Sequence, residues 1–222
     1  DWIGETFTSE TGWSHLERLV DIGNRMAGSS GERDAAAATR DALGSVARDA
    51  HLEEFDVQGW ARGEASVETT DRTETAIALP RSPNESAEGD LLDLGHGLPE
   101  DFEESDVEGR VVLVRSDVPD WYDRYIHRRE KYFRAVRGGA SGFIYQNHVE
   151  GCLPPTGSID GIEGPIGEIP AVGVSKEVGS RLRRRDVNES VTVSVSAEIF
   201  EATSQNVHAD LGPDTDSEVL VT

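Results

Sequence analysis

Residues 109–147, GRVVLVRSDVPDWYDRYIHRREKYFRAVRGGASGFIYQN, constrain the fold more than any other stretch of the chain. The short apolar run Val111–Val114 is typical of a buried strand, and SGFIY at 141–145 predicts another. Between them an amphipathic helix is predicted from Tyr122 to the glycine pair after Arg137. Its apolar positions are Tyr122, Tyr125, Ile126, Tyr132, Phe133 and Val136. A helix that joins two apolar strands predicts a right-handed crossover between parallel neighbours, and therefore a mixed α/β fold.

Helices and strands are also predicted on both sides of this stretch. Apolar residues with a period near 3.6 predict a helix in WSHLERLVDI, residues 13–22. Ser29 and Glu32 fit a capping box, which predicts a helix from about Ser30 to Val46, and KEVGSRLRRRD predicts a further short helix. The strict alternation of SVTVSVSAEIF predicts a half-buried antiparallel strand. Other strands are predicted in HLEEFDVQGW, ASVETT, TAIALP, GDLLDLG, IPAVGVS, SQNVHADLG and SEVLVT, and the Gly/Pro-rich residues 148–168 are predicted to form a loop.

The charge of the chain is strongly one-sided. It has 43 acidic and 21 basic residues, a formal net charge of -22, and Lys131 and Lys176 are its only lysines. Such a chain is either an ordinary acidic cytosolic protein or one built for multimolar salt, and we expect the latter, in the cytoplasm of a halophilic archaeon. Export stays open. An acidic surface repels phosphate backbones, so nucleic acid is not an expected partner. No apolar run is long enough for a membrane span.

Candidate catalytic and metal-binding residues are scattered. The single cysteine, Cys152, allows no intrachain disulfide, and we interpret it as an incidental thiol. The six histidines form neither an HExxH pattern nor a zinc spacing. Alternation would place His208 and Asp210 on one face of a strand, and we interpret them as a surface or packing pair. The serines of GSSGE are interpreted as helix caps, because the stretch lacks the GxSxG pattern.

A basic run, RYIHRREK, lies within this acidic chain at residues 124–131. In a helix it would place Arg124 and Arg128 four residues apart on one face. The run is either a solvated face that offsets nearby acids or a contact for an anion or a partner. The candidate substrate or partner surface consists of Trp121, Tyr122, Arg124, His127 and Arg128.

Three blocks resemble the protease-associated (PA) domain. In chain order they are GRVVLVR, the helix that ends in AVRGGASGFIYQN, and IPAVGVSKEVGSRL, and they span residues 109–182. The stretch SDVPDWYDRY and the long loop at 148–168 depart from the pattern of the family. The resemblance implies a β-sandwich or barrel with flanking helices that shapes substrate access or binds a partner and performs no chemistry.

The flanking sequences resemble the opening of the two-zinc aminopeptidases, the family of glutamate carboxypeptidase and the transferrin receptor ectodomain. The matching stretches are HLERLVDIGNRMAGSSGERDAAAATRDAL with EEFDVQGWARG, and SQNVHADLGPDTDSEVLVT as the return to the catalytic sheet. The resemblance implies a peptidase-like part at 1–58, a PA insert at 59–203 and return strands at 204–222. In that family Ala-His-x-Asp follows such a strand and supplies the first zinc ligands. The resemblance therefore implies a chain that stops before these ligands, with His208 and Asp210 not among them.

The expected function is the non-catalytic N-terminal and PA-domain portion of a zinc-dependent aminopeptidase. We expect these residues alone to be inactive and to hold no cofactor, with two zinc ions in the full-length parent. There, by resemblance, zinc would activate a water that attacks a peptide carbonyl. The alternative is a stand-alone non-enzymatic interaction module, or a receptor-like relative that lost its metal ligands. Expected partners are peptide or protein substrates of the parent, and exposed edge strands predict a possible homodimer.

Overall fold

The computed structural model describes residues 2–159, 169–213 and 219, and these residues form a mixed α/β fold, as the sequence predicts. The helices are α1 (Trp2–Thr8), α2 (Thr11–Asp21), α3 (Ser30–Gly44), α4 (Pro99–Glu103), α5 (Arg128–Arg137) and α6 (Lys176–Arg185). The strands are β1 (Arg48–Glu68), β2 (Thr73–Thr75), β3 (Ile77–Ala78), β4 (Ser86–Asp93), β5 (Val111–Arg115), β6 (Gly142–Gln146), β7 (Ala171–Val174) and β8 (Ser190–Asp210). None of the helices described is long and apolar enough to cross a bilayer.

The chain divides into two compact units. Residues 1–59 and 200–222 form one, which we call the terminal unit, and residues 60–199 form the other, the central unit. Strands β1 and β8 each have residues in both units. The domain identities predicted for residues 1–58, 59–203 and 204–222 stay predictions.

Helix α3 of the terminal unit begins where its capping residues predict. The Ser29 hydroxyl accepts a hydrogen bond from the Glu32 N–H at 3.1 Å. The Glu32 carboxylate accepts the Gly28 N–H at 2.6 Å, one residue before the Ser29 amide that a capping box would use. Its other oxygen accepts a hydrogen bond from the Ser204 hydroxyl. The predicted helices in 13–22 and from Ser30 onwards are therefore confirmed as α2 and α3, whereas α1 was not predicted.

The strands form one nearly closed sheet in the order β2-β1-β8-β4-β5-β6-β7-β3. Its two edge strands, β2 and β3, are separated in the chain only by the buried Ala76. The sheet therefore curves until its first and last strands come together, which shortens the exposed edges. This arrangement confirms the predicted sandwich or barrel with flanking helices.

The central unit is built on four neighbouring parallel strands, β4 to β7. Val111 of β5 pairs with Leu91 of β4 and with Gly142 of β6, and Phe143 of β6 pairs with Ala171 of β7. Helix α5 connects β5 to β6, which confirms the crossover predicted from the sequence. Strand β8 pairs antiparallel with β4, and its alternate valines are buried, as predicted.

The core of the central unit lies around β5, β6 and α5. Tyr132 and Phe143 are fully buried, and their rings meet edge to face with centroids 5.5 Å apart. The Tyr132 hydroxyl donates to the Ile169 carbonyl at 3.1 Å and accepts the Ile169 N–H at 3.2 Å. Burial of a ring of this size contributes about 2–3 kcal/mol. The core thereby fixes α5 against the sheet.

An ion network around the buried Glu74 carboxylate joins β2 to α6. The Glu74 carboxylate accepts two hydrogen bonds from Arg181, at 3.0 and 2.6 Å, and one from Arg72 at 2.9 Å. Arg72 also donates to Asp186, which follows α6. The hydrogen bonds from Arg181 first, and then those from Arg72, lower the pKa of Glu74 against the opposing effect of burial. The network holds the edge strand β2 to α6.

The structure corrects the predicted start of the crossover helix. Helix α5 begins at Arg128 rather than near Tyr122, and residues 116–127 are irregular. His127 is extended, with φ -68° and ψ 146°, and its ring caps the helix by accepting the Arg129 N–H. The Tyr122 N–H bonds to the Pro119 carbonyl in a turn instead. The spacing of the aromatic residues before Arg128 therefore predicts a helix that the backbone does not form.

Two further differences concern the ends of elements. SQNVHADLG is the last part of the long strand β8 rather than a separate strand. The short helix α4 was not predicted; its first turn is held by the Asp101 carboxylate, which accepts the Leu98 N–H at 2.8 Å. Most of the predicted strand SEVLVT, and residues 160–168 of the predicted loop, lie outside the described residues.

Candidate functional site

The predicted contact surface lies mostly in residues 116–127, which we call the β5–α5 segment. Trp121 is 73% exposed and Tyr125 is 64% exposed. The Trp121 ring meets the half-buried Tyr122 ring edge to face, with centroids 5.8 Å apart. Exposed aromatic side chains held by their neighbours are typical of residues that contact partners.

Arg124 fastens this segment to helix α5. Its guanidinium donates two hydrogen bonds to the Glu130 carboxylate, at 2.8 and 2.7 Å. Arg134 donates to the same carboxylate at 3.2 Å. Together these bonds, those from Arg124 first, lower the pKa of Glu130 to about 2. Arg124 is therefore engaged within the unit, and it does not share a helix face with Arg128 as the sequence predicted.

His127 and Arg128 point to different surfaces. The His127 ring lines a groove between α4 and α5. Burial is the main cause that lowers the pKa of His127, and the positive charges of Arg128 and Arg129 lower it further. The Arg128 guanidinium lies against Gly157, and its Nε donates to the Ser158 carbonyl at 2.8 Å. Of the five predicted residues, His127 thus lines the groove between α4 and α5 and Arg128 lines a different cleft, and their role as a contact surface stays a prediction.

Arg128 lines a cleft at the carboxyl ends of β5 and β6, which we call the edge cleft. Its volume is about 450 Å³. Crevices at the carboxyl ends of parallel strands are where open α/β sheets usually bind ligands. The other lining residues are Ser116, Asp117, Val118, Tyr125, Tyr145, Asn147, His148, Pro155 and Thr156.

Ser116 and His148 form the one hydrogen-bonded hydroxyl–imidazole pair of the edge cleft. The Ser116 oxygen accepts the His148 N–H at 3.0 Å, and its hydroxyl lies 2.7 Å from the His148 Nδ1 atom. A nucleophilic serine also needs a group that orients the other ring nitrogen. Among the described residues no carboxylate contacts the Nε2 atom of His148. The pair therefore fixes the loop after β6, and within the described part of the chain it has no third member of a catalytic triad.

Lys131 is a buried cation that the sequence analysis passed over. Its side chain is fully buried, and Nζ donates to the carbonyls of Arg115 at 2.8 Å and Asp117 at 2.9 Å. Burial lowers its pKa to about 8, although the charges of Asp117, Asp101 and Glu130 oppose the shift. The ammonium group holds the backbone at the exit of β5 and so directs the β5–α5 segment. The only sequence signal was a lone lysine in an arginine-rich helix.

The second candidate surface is the groove between α4 and α5, with a volume of about 840 Å³, which we call the α4–α5 groove. Phe133 is 41% exposed there, and Phe102 closes the base. Most of the other residues of its wall are charged. Its remaining residues are Glu103, His127, Arg129, Glu130, Arg134, Arg137 and Gly138.

Metal ligands are not assembled in the part of the chain that the structure describes. No group of three or more His, Cys, Asp or Glu side chains in it could hold a metal ion. The His208 Nε2–H donates a hydrogen bond to the Glu53 carboxylate at 2.9 Å, and the His208 ring stacks on His51, with centroids 5.2 Å apart. His208 therefore packs with these two residues rather than with Asp210. Cys152 is an exposed free thiol.

Comparisons with known proteins agree with this geometry. The family model described as the PA domain matches residues 75–182, which lie inside the central unit. An aminopeptidase from Aneurinibacillus sp. strain AM-1 is 26% identical, with a TM-score of 0.67 over 93% of this chain and 48% of that one. BSAP, a zinc aminopeptidase from Bacillus subtilis, is 24% identical, with a TM-score of 0.64 over 89% and 45%. The M28 peptidase precursor from Shewanella amazonensis SB2B is 22% identical, with a TM-score of 0.70 over 93% and 51%.

No protein with a curated description matches the chain. The chain spans about half the length of each of these three solved proteins. The two structures under 25% identity establish likeness of fold alone. The predicted PA resemblance is thus confirmed for residues 75–182, and over nearly its whole length the chain is similar to aminopeptidases.

Proposed function

We propose that these residues are the non-catalytic N-terminal and PA-domain portion of a zinc-dependent aminopeptidase. One observation supports this above the others. The likeness to the Aneurinibacillus aminopeptidase covers 93% of this chain but only 48% of that protein, and the PA-domain match lies within it. A chain of this extent would contribute a scaffold and an accessory domain to a larger enzyme.

Zinc does not fit the residues described. They contain no cluster of ligands, and His208 is already engaged with Glu53 and His51. In the proposed enzyme the two zinc ions, and the peptide or protein substrate that they act on, would therefore be held by residues outside those that the structure describes. These 222 residues alone would be inactive.

The central unit would shape access to that site or bind a partner. Its exposed Trp121 and Tyr125 form a partly apolar surface. The segment that carries them is held in place by Lys131 and by the Arg124–Glu130 pair. A surface held in advance loses little conformational entropy on binding. This supports a contact role for Trp121 and its neighbours.

A stand-alone interaction module, or a receptor-like relative without metal ligands, is the second candidate function. Two observations favour it. The chain exposes aromatic and basic surfaces, and the described residues contain no cluster of metal ligands. It requires no catalytic half at all.

Sequencing the natural reading frame beyond Thr222 separates the two. The peptidase proposal expects a continuing frame that encodes Ala-His-x-Asp, with further Asp, Glu and His ligands downstream. A stop codon, or a continuation without such ligands, would contradict it and favour the interaction module.

We also propose that the protein works in the concentrated cytoplasmic salt of a halophile. The net charge of -22 on 222 residues supports this, because self-repulsion on such a surface weakens as salt shortens the Debye length to about 3 Å at 1 M. Circular dichroism in KCl solutions tests it: the spectrum should lose structure as salt is removed. An unchanged spectrum and melting temperature in dilute buffer would refute it. The edge-strand homodimer stays a prediction for sedimentation analysis.

A further inference from the structure

Helix α5 presents a stripe of three residues to the α4–α5 groove. Arg129, Phe133 and Arg137 are spaced four residues apart, so they lie one above another on one helix face. Each step of four residues rises about 6 Å, so the two arginine positions are about 12 Å apart with the exposed phenyl ring between them. The stripe is therefore an apolar centre with a cation on either side.

The two cations of the stripe are available. Neither the Arg129 nor the Arg137 guanidinium has a hydrogen-bond or ion-pair partner within the described part of the chain. Arg134 on the adjacent row behaves differently, because it pairs with Glu130 at 3.2 Å and lies 3.9 Å from Glu103. The acidic residues of the groove are thus paired with Arg134, whereas Arg129 and Arg137 have no acidic partner among the described residues.

The charge of α5 opposes that of the whole molecule. Residues 128–137 contain five basic residues and one acidic residue, whereas the chain carries a net charge of -22. A strongly acidic molecule that keeps a basic stripe beside an exposed phenyl ring has a local surface complementary to an acidic, apolar ligand. A fully apolar or a basic ligand would leave the two arginines unpaired on binding.

We propose that the α4–α5 groove binds an acidic peptide segment of a partner protein, in which one apolar side chain is flanked by two carboxylates. The apolar side chain would lie on Phe133 and Phe102, and the carboxylates would pair with Arg129 and Arg137. In an extended peptide, residues two positions apart project to the same side and are about 7 Å apart. The pattern Glu-x-Leu-x-Glu therefore matches the spacing of the stripe.

This inference goes beyond the peptidase proposal and does not depend on it. The groove is formed entirely by residues of the central unit, so it could bind a segment whether or not zinc ligands follow Thr222. Failure to bind the peptide would not affect the search for zinc ligands beyond Thr222, and failure to find those ligands would not affect the peptide-binding test.

Fluorescence anisotropy with labelled synthetic peptides tests the proposal on the full chain. The probe contains Glu-x-Leu-x-Glu, and the comparison peptides replace both glutamates with glutamine or with lysine. The same probe is titrated with the double variant Arg129→Gln/Arg137→Gln and with Phe133→Ala. Arg184→Gln is the matched control, because Arg184 is an exposed arginine of another helix in the same unit. Circular dichroism confirms that each variant is folded.

The acidic probe should bind best, and each arginine removed should weaken binding by about fivefold, the upper end for exposed ion pairs. Phe133→Ala should weaken it by about tenfold or more through lost apolar contact. The control should match the wild type, and the reversed variant Arg129→Glu/Arg137→Glu should prefer the lysine peptide. Raising the salt should reduce the preference for glutamate over glutamine while leaving the Phe133 contribution.

Several results would overturn the proposal. One is equal binding of the acidic and glutamine peptides, or no binding at about 1 mM. Another is an Arg184→Gln effect as large as that of the double variant. Self-association that the double variant abolishes would assign the groove to a second copy of this chain instead. Tighter binding of a single-stranded oligonucleotide than of the acidic peptide would assign it to phosphate.

Discussion

Replacing Lys131 with methionine should remove the rise in stability that the lowered pKa of Lys131 predicts for the wild-type protein between about pH 8 and 10.5. The pKa of the buried ammonium is lowered to about 8 from its usual 10.5. Between these values the unfolded chain binds more protons than the folded one, so the free energy of unfolding rises with pH. The difference of about 2.5 corresponds to about 3 kcal/mol, reached in full near pH 10.5.

The size of the change at neutral pH is less informative. Lys131→Met removes the cost of burying a charge, about 3 kcal/mol, but leaves the Arg115 and Asp117 carbonyls unpaired. Each unpaired buried acceptor costs about 1–3 kcal/mol, so the loss for the two carbonyls, about 2–6 kcal/mol, offsets the gain or exceeds it at pH 7. The change in the free energy of unfolding with pH is therefore a better test of the buried Lys131 charge than its value at one pH.

The assay is urea unfolding at constant KCl, followed by tryptophan fluorescence from pH 7 to pH 10.5. Taking the difference between wild type and Lys131→Met cancels the other groups that titrate in this range. Lys176→Met is the matched control, because Lys176 is the other lysine and is an exposed partner of Glu150 at 3.0 Å. The control should keep the wild-type rise. Identical pH profiles for wild type and Lys131→Met would refute the argument.

Three other perturbations give separate tests. Glu74→Gln should reduce stability by about 1–3 kcal/mol near neutral pH, because the partly exposed Arg181 loses the charge of the buried Glu74 carboxylate. Since the folded pKa of Glu74 is lowered, the advantage of the wild type in acid-unfolding curves should disappear as pH falls below about 4. Ser29→Ala should lower the urea midpoint of the terminal unit by the equivalent of about 1 kcal/mol, whereas Ser29→Asp should preserve it. Arg124→Ala should leave global stability nearly unchanged but should speed amide hydrogen exchange in residues 116–127; unchanged exchange would show that the pairing with Glu130 does not hold the segment.

The strands of the central unit could be predicted because burial dictates their sequence. Val111–Val114 and SGFIY are continuous apolar runs, as strands covered on both faces require, and the alternation in β8 reflects a strand with one covered face. Helix α3 could be predicted from Ser29 and Glu32, because the cap is local in sequence.

The start of α5 could not be predicted from the same kind of pattern. Tyr122, Tyr125 and Ile126 have helical spacing, but only Ile126 is buried, and Tyr125 is exposed. The helix begins where the His127 ring satisfies the Arg129 amide, and Arg124 turns back to Glu130 across the irregular segment. These contacts depend on the path of the chain, not on periodicity.

The candidate surfaces depend even more on tertiary structure. Lys131 is buried because two carbonyls at the exit of β5 lie within reach of its ammonium group, which no spacing in the sequence indicates. The α4–α5 groove requires α4, a five-residue helix too short for a periodic signal. Trp121, Tyr122, Arg124, His127 and Arg128 were grouped by proximity in sequence, and the structure distributes them between an exposed segment and two clefts.

The central claim, that this chain is the non-catalytic front of a zinc aminopeptidase, is tested most directly on the complete natural gene product. Its zinc content and its release of N-terminal amino acids from peptides should be measured beside those of the 222-residue chain. The account predicts two bound zinc ions and chelator-sensitive aminopeptidase activity in the complete product, and neither in the chain alone. A complete product that binds no zinc and releases no amino acids would contradict it.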